Sequence, residues 1–422
     1  MNKKAIILLF IANAVSGIAQ GISMIAIPWY FAQKGMLGYF GMVYLVVNFC
    51  SMVWVPLSGS IIDRYDRKHV FLGITFIGGS ILAIITALGF LLGDLPEILV
   101  AAVFLFTFLN YNIHYPNMYA FVQEITERKN YSKMTSLMEV LGQMSTITAG
   151  ALATFLLEGT SDGFFRIFSN DVYIGLDIAP MKIHEIFLID TITYFVSMLI
   201  ISLIVYKPLV ERKVEQGSLV ARLKTGLKYL LENKSVMWFG MLSYIVFVAM
   251  LMEAFYLGAS YVSNHLHESG DVYANSKMAY ALGAVVTGFT LKHLFTRFSI
   301  PSIVIALTFG TMLIFFTQYA SHSIPLFFVM LFTLGITNAG TRIARVTYLF
   351  RNVPNQVFGR IGGIFFLGNI ILRILLLTIF NIAFFQASNN VIYAYLITSI
   401  MLLVAGLSLI YHYKSFDLSH TV

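Results

Sequence analysis

The chain has 422 residues, of which 58% are apolar, 15% aromatic and only 11% charged. A water-soluble chain carries about a quarter charged residues, so this one cannot wrap itself in a solvated surface. A soluble enzyme, a secreted disulfide scaffold and a disordered chain are excluded. The net charge of +7 does not by itself indicate nucleic acid, because in a membrane protein the positions of the basic residues matter more than their sum. The single cysteine, Cys50, lies in an apolar run, which leaves no internal disulfide and no cysteine-based metal site.

A helix needs roughly 20 apolar residues to cross hydrocarbon. Cutting the chain at charged, Gly and Pro positions predicts twelve such spans, near 5–32, 38–61, 70–92, 97–122, 134–157, 186–206, 236–262, 273–292, 300–320, 325–349, 359–386 and 389–413. Lys3 and Lys4 precede Ala12-Asn13-Ala14, but the apolar run continues to Tyr30, so a retained first span is expected rather than a cleaved signal. With the N-terminus inside, twenty of the 27 Lys and Arg fall in inner segments. Four, Lys34, Arg166, Lys182 and Lys277, fall in or beside outer ones. That bias predicts a cell (plasma or inner) membrane protein with both termini cytoplasmic.

The inner segment Lys207–Ser235 divides the spans six and six. The expected organisation is a six-helix bundle over 1–206, a linker over 207–235 and a second bundle over 236–422. In the linker, Leu219, Val220, Leu223, Leu227, Leu230 and Leu231 recur at helical spacing opposite Arg222, Lys224 and Lys228. The pattern predicts an amphipathic helix on the inner face, held by apolar burial and anionic lipid; a loose linker is the alternative. The outer segment Glu158–Glu185 carries no recognisable chemistry. Gly59-Ser-Ile-Ile-Asp63 corresponds to Gly288-Phe-Thr-Leu-Lys292 at an offset of 229, and Leu141-Gly142-Gln143 to Leu367-Gly368-Asn369 at 226. Duplicated halves in one orientation follow, as in transporters with parallel repeats.

Gly59-Ser-Ile-Ile-Asp63-Arg64-Tyr65-Asp66-Arg67-Lys68 joins spans two and three. A Gly allows close helix approach, Asp63 can accept from a helix N-terminus, and the basic residues hold the loop inside. This segment resembles the signature loop of the major facilitator superfamily, Gly-x-x-x-Asp-Arg-x-Gly-Arg-Arg/Lys. Asp66 in place of the second Gly resembles its macrolide-efflux and enterobactin-exporter branch. Ala26-Ile27-Pro28, His114-Tyr115-Pro116, Ile189-Asp190, Gly226-Leu227-Lys228-Tyr229-Leu230 and Gly359-Arg360 are similar to elements of that branch. Two positions depart from the proton-coupled drug antiporters: Thr107 stands near their span-four Arg, and Ala149-Gly150-Ala151 replaces their Gly-Pro. The resemblance implies an all-α membrane protein of twelve helices in two six-helix bundles related by a pseudo-twofold axis. It also implies gating residues at Gly59, Asp63, Arg64, Arg67 and Lys68, with spans one, four, seven and ten around a cavity.

Polarity agrees with that arrangement. Span one carries Asn13, Ser16, Gln20 and Ser23, span four Asn110, Tyr111, Asn112, His114, Tyr115 and Asn117, and span ten Thr337, Asn338, Thr341, Arg342 and Arg345. Such stripes line water or one another. Asn13, Gln20, Asn110, Tyr111, Tyr115, Asn338 and Thr341 are therefore candidates for contact with substrate, interhelical bonding being the other reading for each. Ionisable residues at membrane depth mark ion pathways or static pairs. Glu253 and Arg373 lie at one depth, Glu139 and Arg345 at another, and either pair fits a coupling site or a structural one. The second pair is also expected to link the halves in one transport state. His114 is a possible proton relay or a hydrogen-bonded structural residue, and Asp190 reads as a helix-start residue near the outer surface. His265 and His267 lack further ligands, so no metal is expected. No phosphate-binding loop is present and no cofactor is implied.

The expected function is secondary active transport, exporting a bulky amphipathic solute, drug-, macrolide- or siderophore-like, with protons as coupling partner. An importer of a nutrient or siderophore-type solute is the alternative. A membrane-embedded enzyme is remote, because Asp63 and Asp66 are interleaved with Arg64, Arg67 and Lys68 and would repel a cation. A monomer in contact with lipid and without nucleic acid is expected.

Overall fold

Ser-Ile-Pro occurs twice, at Ser299–Pro301 and Ser323–Pro325, and both copies open helices. Each Ser side chain accepts a backbone N–H three residues on, from Ser302 (3.3 Å) and from Leu326 (3.4 Å). Pro sits in the first turn, where its missing N–H has no helical partner to lose. The computed structural model describes residues 3–127, 130–168, 170–205, 219–387 and 389–417. Arg128, Lys129 and the basic residues Lys207, Arg212 and Lys213 lie outside them.

The chain forms two compact units, 1–216 with 269–278, and 217–268 with 279–422. The first contains α1 (Lys3–Gln33), α2 (Leu37–Arg64), α3 (Arg67–Leu92), α4 (Glu97–Ile125), α5 (Tyr131–Glu158) and α6 (Ile183–Ser202). Helix α6 packs on both α1 and α3, α1 on α5, and α2 on α4. Gly21 brings α1 against α5, since a Cβ there would stand 2.8 Å from that of Ala149. Lys34, just past α1, bonds Glu97 at the start of α4 (2.9 Å). The neighbouring Tyr30 hydroxyl and that carboxylate hold Lys34 above the ordinary lysine value.

The expected twelve-helix architecture is present. Eleven helices among the described residues are long and apolar enough to cross a membrane. The twelfth, α10 (Gly270–Phe295), is long enough but carries Asp271, Asn275, Ser276 and Lys277 in its first two turns. The remaining elements are α7 (Leu219–Glu232), α8 (Lys234–Met252), α9 (Gly258–Ser260), α11 (Ile300–Ala320), α12 (Ile324–Asn352), α13 (Asn355–Phe380), α14 (Ala383–Gln386), α15 (Val391–Tyr411) and α16 (Tyr413–Asp417). In the second unit, α11 packs on α12 and α15, α8 on α12, and α13 on α7 and α8. Gly283 and Gly335 allow the closest approach, a Cβ at either meeting a backbone carbonyl oxygen at 1.9 or 2.0 Å.

Several expectations are corrected. In the outer segment, β1 (Phe164–Ile167) and β2 (Asn170–Tyr173) pair antiparallel, a small exception to an all-α chain. Span six starts at Ile183 and stops at Ser202, because Glu185 accepts the N–H of Lys182 (2.7 Å) and so fixes an earlier start. Asp190 therefore lies two turns inside α6, not at its beginning. Span seven is not uniform: α8 runs into π-helical turns at Glu253–Leu257 and Tyr261–Leu266, with α9 between them. Span eleven ends at Phe380 rather than 386. The close helix approach expected at Gly59 is not seen: among the described residues a Cβ there would find nothing within 4 Å.

Helix α7 is amphipathic as expected, and its apolar face is divided. Leu230 is fully buried in the core that holds Phe239, Tyr348 and Phe365. Gly226 lets α7 settle on α13, with a Cβ there 2.9 Å from Ile364 and 3.1 Å from Arg360. Leu227 and Leu231 are exposed, beside exposed Lys224 and Lys228.

Candidate functional site

The connection between α2 and α3 is only Tyr65–Asp66. Asp66 has extended backbone, φ −63° and ψ 130°, and its carboxylate accepts the His69 N–H (3.1 Å) and approaches His69 Nδ1 (3.0 Å). Asp is a strong N-cap in that conformation, so the departure from Gly at this position has a local reason. Arg67 pairs with Glu124 of α4, Nε to Oε1 3.3 Å. Lys68 Nζ donates to the carbonyls of Ser202 and Ile204, 2.8 Å each, satisfying acceptors that the C-terminus of α6 leaves open. Arg64 is exposed, while Gly59 and Asp63 are half-buried. The basic residues of this loop thus do more than sit on one side of the membrane: two of them fasten α4 and α6.

The polar stripe of α1 is used between helices of the first unit. Asn13 Oδ1 meets His114 Nε2 of α4 (2.9 Å). Gln20 Nε2 and Asn110 Nδ2 both donate to the Tyr194 hydroxyl of α6, at 3.4 and 2.8 Å. Ser23 Oγ donates to Asp190 Oδ2 (2.7 Å). His114 is hydrogen-bonded and packs its ring on Phe71 and Tyr115. The Tyr111 and Tyr115 rings are in contact, tilted 45° with centroids 4.4 Å apart, and Tyr111 remains 48% exposed. Half-buried Glu139 accepts from the Tyr119 hydroxyl (2.7 Å).

In the second unit, Glu253 is 1% exposed and opens the first π turn of span seven. The Tyr395 hydroxyl of α15 donates to its Oε2. The Tyr395 ring lies 4.8 Å from that of Tyr261 in the second π turn. Arg373 of α13 is 2% exposed. Asn338 donates to Tyr280 (2.7 Å), and the Thr341 hydroxyl is buried without a hydrogen-bond partner. Arg345 donates to the Ser243 carbonyl (3.1 Å) and lies 3.6 Å from the Tyr244 ring centroid. A π face and a carbonyl dipole thereby offset part of a buried positive charge.

Sequence reading missed Glu124, Tyr194 and Tyr395. A Glu in the last turn of a helix and tyrosines in apolar runs look alike whether they pair or face lipid. Asp190 was visible but misplaced, because the preceding Ile183-His184-Glu185 reads as loop.

The family model of the Major Facilitator Superfamily matches residues 9–376. A search of curated protein sequences finds no match. Among solved structures, the chain is similar to the nucleoside transporter NupG at 13% identity, covering 98% of this chain and 100% of that one, with a TM-score of 0.71. A bacterial homologue of the iron transporter ferroportin matches at 12% identity over 97% and 98% of the two chains, TM-score 0.71. A D-xylose–proton symporter matches at 12% identity over 96% and 97%, TM-score 0.67.

Proposed function

This chain belongs to the Major Facilitator Superfamily, and from that premise we propose that it exports a bulky amphipathic small molecule, drug-, macrolide- or siderophore-like, in exchange for protons. Alternating access is the mechanism that duplicated halves support. Export rests on the resemblance of the signature loop and its flanking elements to an efflux branch. The adjoining rings of Tyr111 and Tyr115, with Asn110, Asn112 and Asn117 close in sequence, suit an aromatic solute of low charge. The basic-residue bias supports a place in the cell membrane with both termini cytoplasmic.

The observation that carries proton coupling is the burial of Glu253 at a π turn on span seven. Ionisable groups at membrane depth mark ion pathways, and π turns recur at functional sites. In this reading Glu253 carries the proton and Arg373 supplies its counter-charge in one state. In proteoliposomes, Glu253→Gln keeps substrate binding and downhill exchange but loses accumulation driven by a pH gradient. Uphill transport with wild-type pH dependence in that variant refutes the assignment.

The second reading is import, favoured by the likeness to a D-xylose–proton symporter. Transport into inverted vesicles under an imposed gradient decides the direction.

A further inference from the structure

Asp190 lies inside the first unit, fully buried in the middle of α6, and the coupling scheme above does not use it. Its Oδ2 accepts from Ser23 of α1 at 2.7 Å, whereas Oδ1 is buried without a hydrogen-bond partner. Among the described residues no Lys, Arg or His stands within ion-pairing distance of it. Ser23 of α1 bonds it directly, and the neighbouring α6 side chains Thr191 and Tyr194 bond neutral groups, Thr86 of α3 and, for Tyr194, Gln20 of α1 and Asn110 of α4. Of the other titratable groups on α6, Tyr194 lies four positions away, Glu185, which accepts the Lys182 N–H, five, and His184, which packs on Phe90 of α3, six.

A permanent carboxylate in such a place is strongly disfavoured, since an ion at membrane depth needs a counter-charge or a full set of donors. One hydroxyl donor is not a full set. A permanently neutral acid could donate from Oδ2 to Ser23 but would leave Oδ1 a buried acceptor without a donor. The environment instead suits a carboxyl that alternates. The Ser23 hydroxyl can donate to the carboxylate or accept from the acid by rotating, with no movement of backbone. Gln20 and Asn110 meet at the Tyr194 hydroxyl one turn along α6, and Asn110 precedes the exposed Tyr111. A second polar cluster therefore lies one turn along α6 from the carboxyl, next in sequence to an exposed residue.

We propose that Asp190 is a proton-binding site of the first unit, separate from Glu253. The exchange is balanced by water: the carboxylate and a hydronium ion give the carboxylic acid and water, and release is the reverse. No metal or other cofactor is required.

The test is pH-difference infrared spectroscopy on the purified full-length protein in lipid nanodiscs, without substrate, so that it does not depend on the transport assignment. Beside the signals of Glu253 and the other acids, a protonated-carboxyl C=O band with its own midpoint should appear toward acid pH. It should vanish in Asp190→Asn, where the amide still accepts from Ser23, and persist in Glu253→Gln. Ser23→Ala, which leaves the acid in place, should move the band and its midpoint, and serves also if Asp190→Asn does not fold. The proposal is overturned if the band survives in Asp190→Asn, is constant from acid to alkaline pH, or is unmoved by Ser23→Ala. Normal uphill transport in Glu253→Gln would refute the coupling role of Glu253 and leave this result standing.

Discussion

Arg67, the first residue of α3, and Glu124, in the last turn of α4, form an ion pair in which the two side chains are only 10% and 8% exposed. Breaking one half of a buried pair strands the other charge and costs about 3–5 kcal/mol, whereas replacing both by apolar groups is often tolerated. Glu124→Gln should therefore lower the thermal unfolding temperature of the purified protein markedly. The double change Arg67→Met with Glu124→Leu should recover most of that loss. A double variant no more stable than Glu124→Gln would show that the pair is not energetically coupled.

Asp66 caps α3 without needing a left-handed backbone. Asp66→Ala should cost about 1 kcal/mol, and Asp66→Gly only a few tenths, because Gly also suits the cap position. The order of the two variants in thermal unfolding is the measurement. Equal losses would remove the cap as the reason for Asp here.

The glycines separate cleanly. Gly335→Ala drives a methyl into the Tyr280 carbonyl, and Gly21→Val crowds Ala149. Both should reduce folded yield, since overpacking costs about 1–3 kcal/mol or more. Gly59→Ala meets nothing within 4 Å and should leave yield and unfolding temperature unchanged. Size-exclusion profiles of the three variants test this. A loss of folded Gly59→Ala would mean the open position is misjudged.

Asp63 is half-buried one residue before the end of α2. Asp63→Asn should insert and fold normally while slowing transport, because it removes a charge from the signature loop and keeps its shape. Initial rates in proteoliposomes at matched protein density provide the check, and wild-type rates would dismiss a gating role.

Most spans were legible because hydrocarbon imposes a length and a composition on each helix, although the ends of spans six and eleven were not. What escaped were features set by a second helix. The pairing of Asp190 with Ser23 joins residues 167 positions apart, and no local pattern carries that. The π turns after Met252 carry Glu253, Tyr256 and Tyr261, whose hydrogen bonds go to other helices at Tyr395, Phe380 and Gln318, and no change in apolar content announces them. The hairpin at 164–173 was hidden because two four-residue strands fall below what alternation can reveal. The α1 stripe was seen correctly as polar, yet its use between α1, α4 and α6 depended on partners that only the fold supplies.

Lys68 holds the carbonyls of Ser202 and Ile204, and α6 is a major neighbour of both α1 and α3. Those contacts reach across more than 130 residues, so during synthesis the earliest helices enter the bilayer long before their main partner exists. A nascent chain halted ahead of Ile183 leaves Ser23, Gln20 and the Lys68 ammonium with nothing to bind. Quality-control proteases and insertion chaperones thus meet an N-terminal half that is greasy but loosely associated, and arrival of the sixth helix is the moment at which it locks.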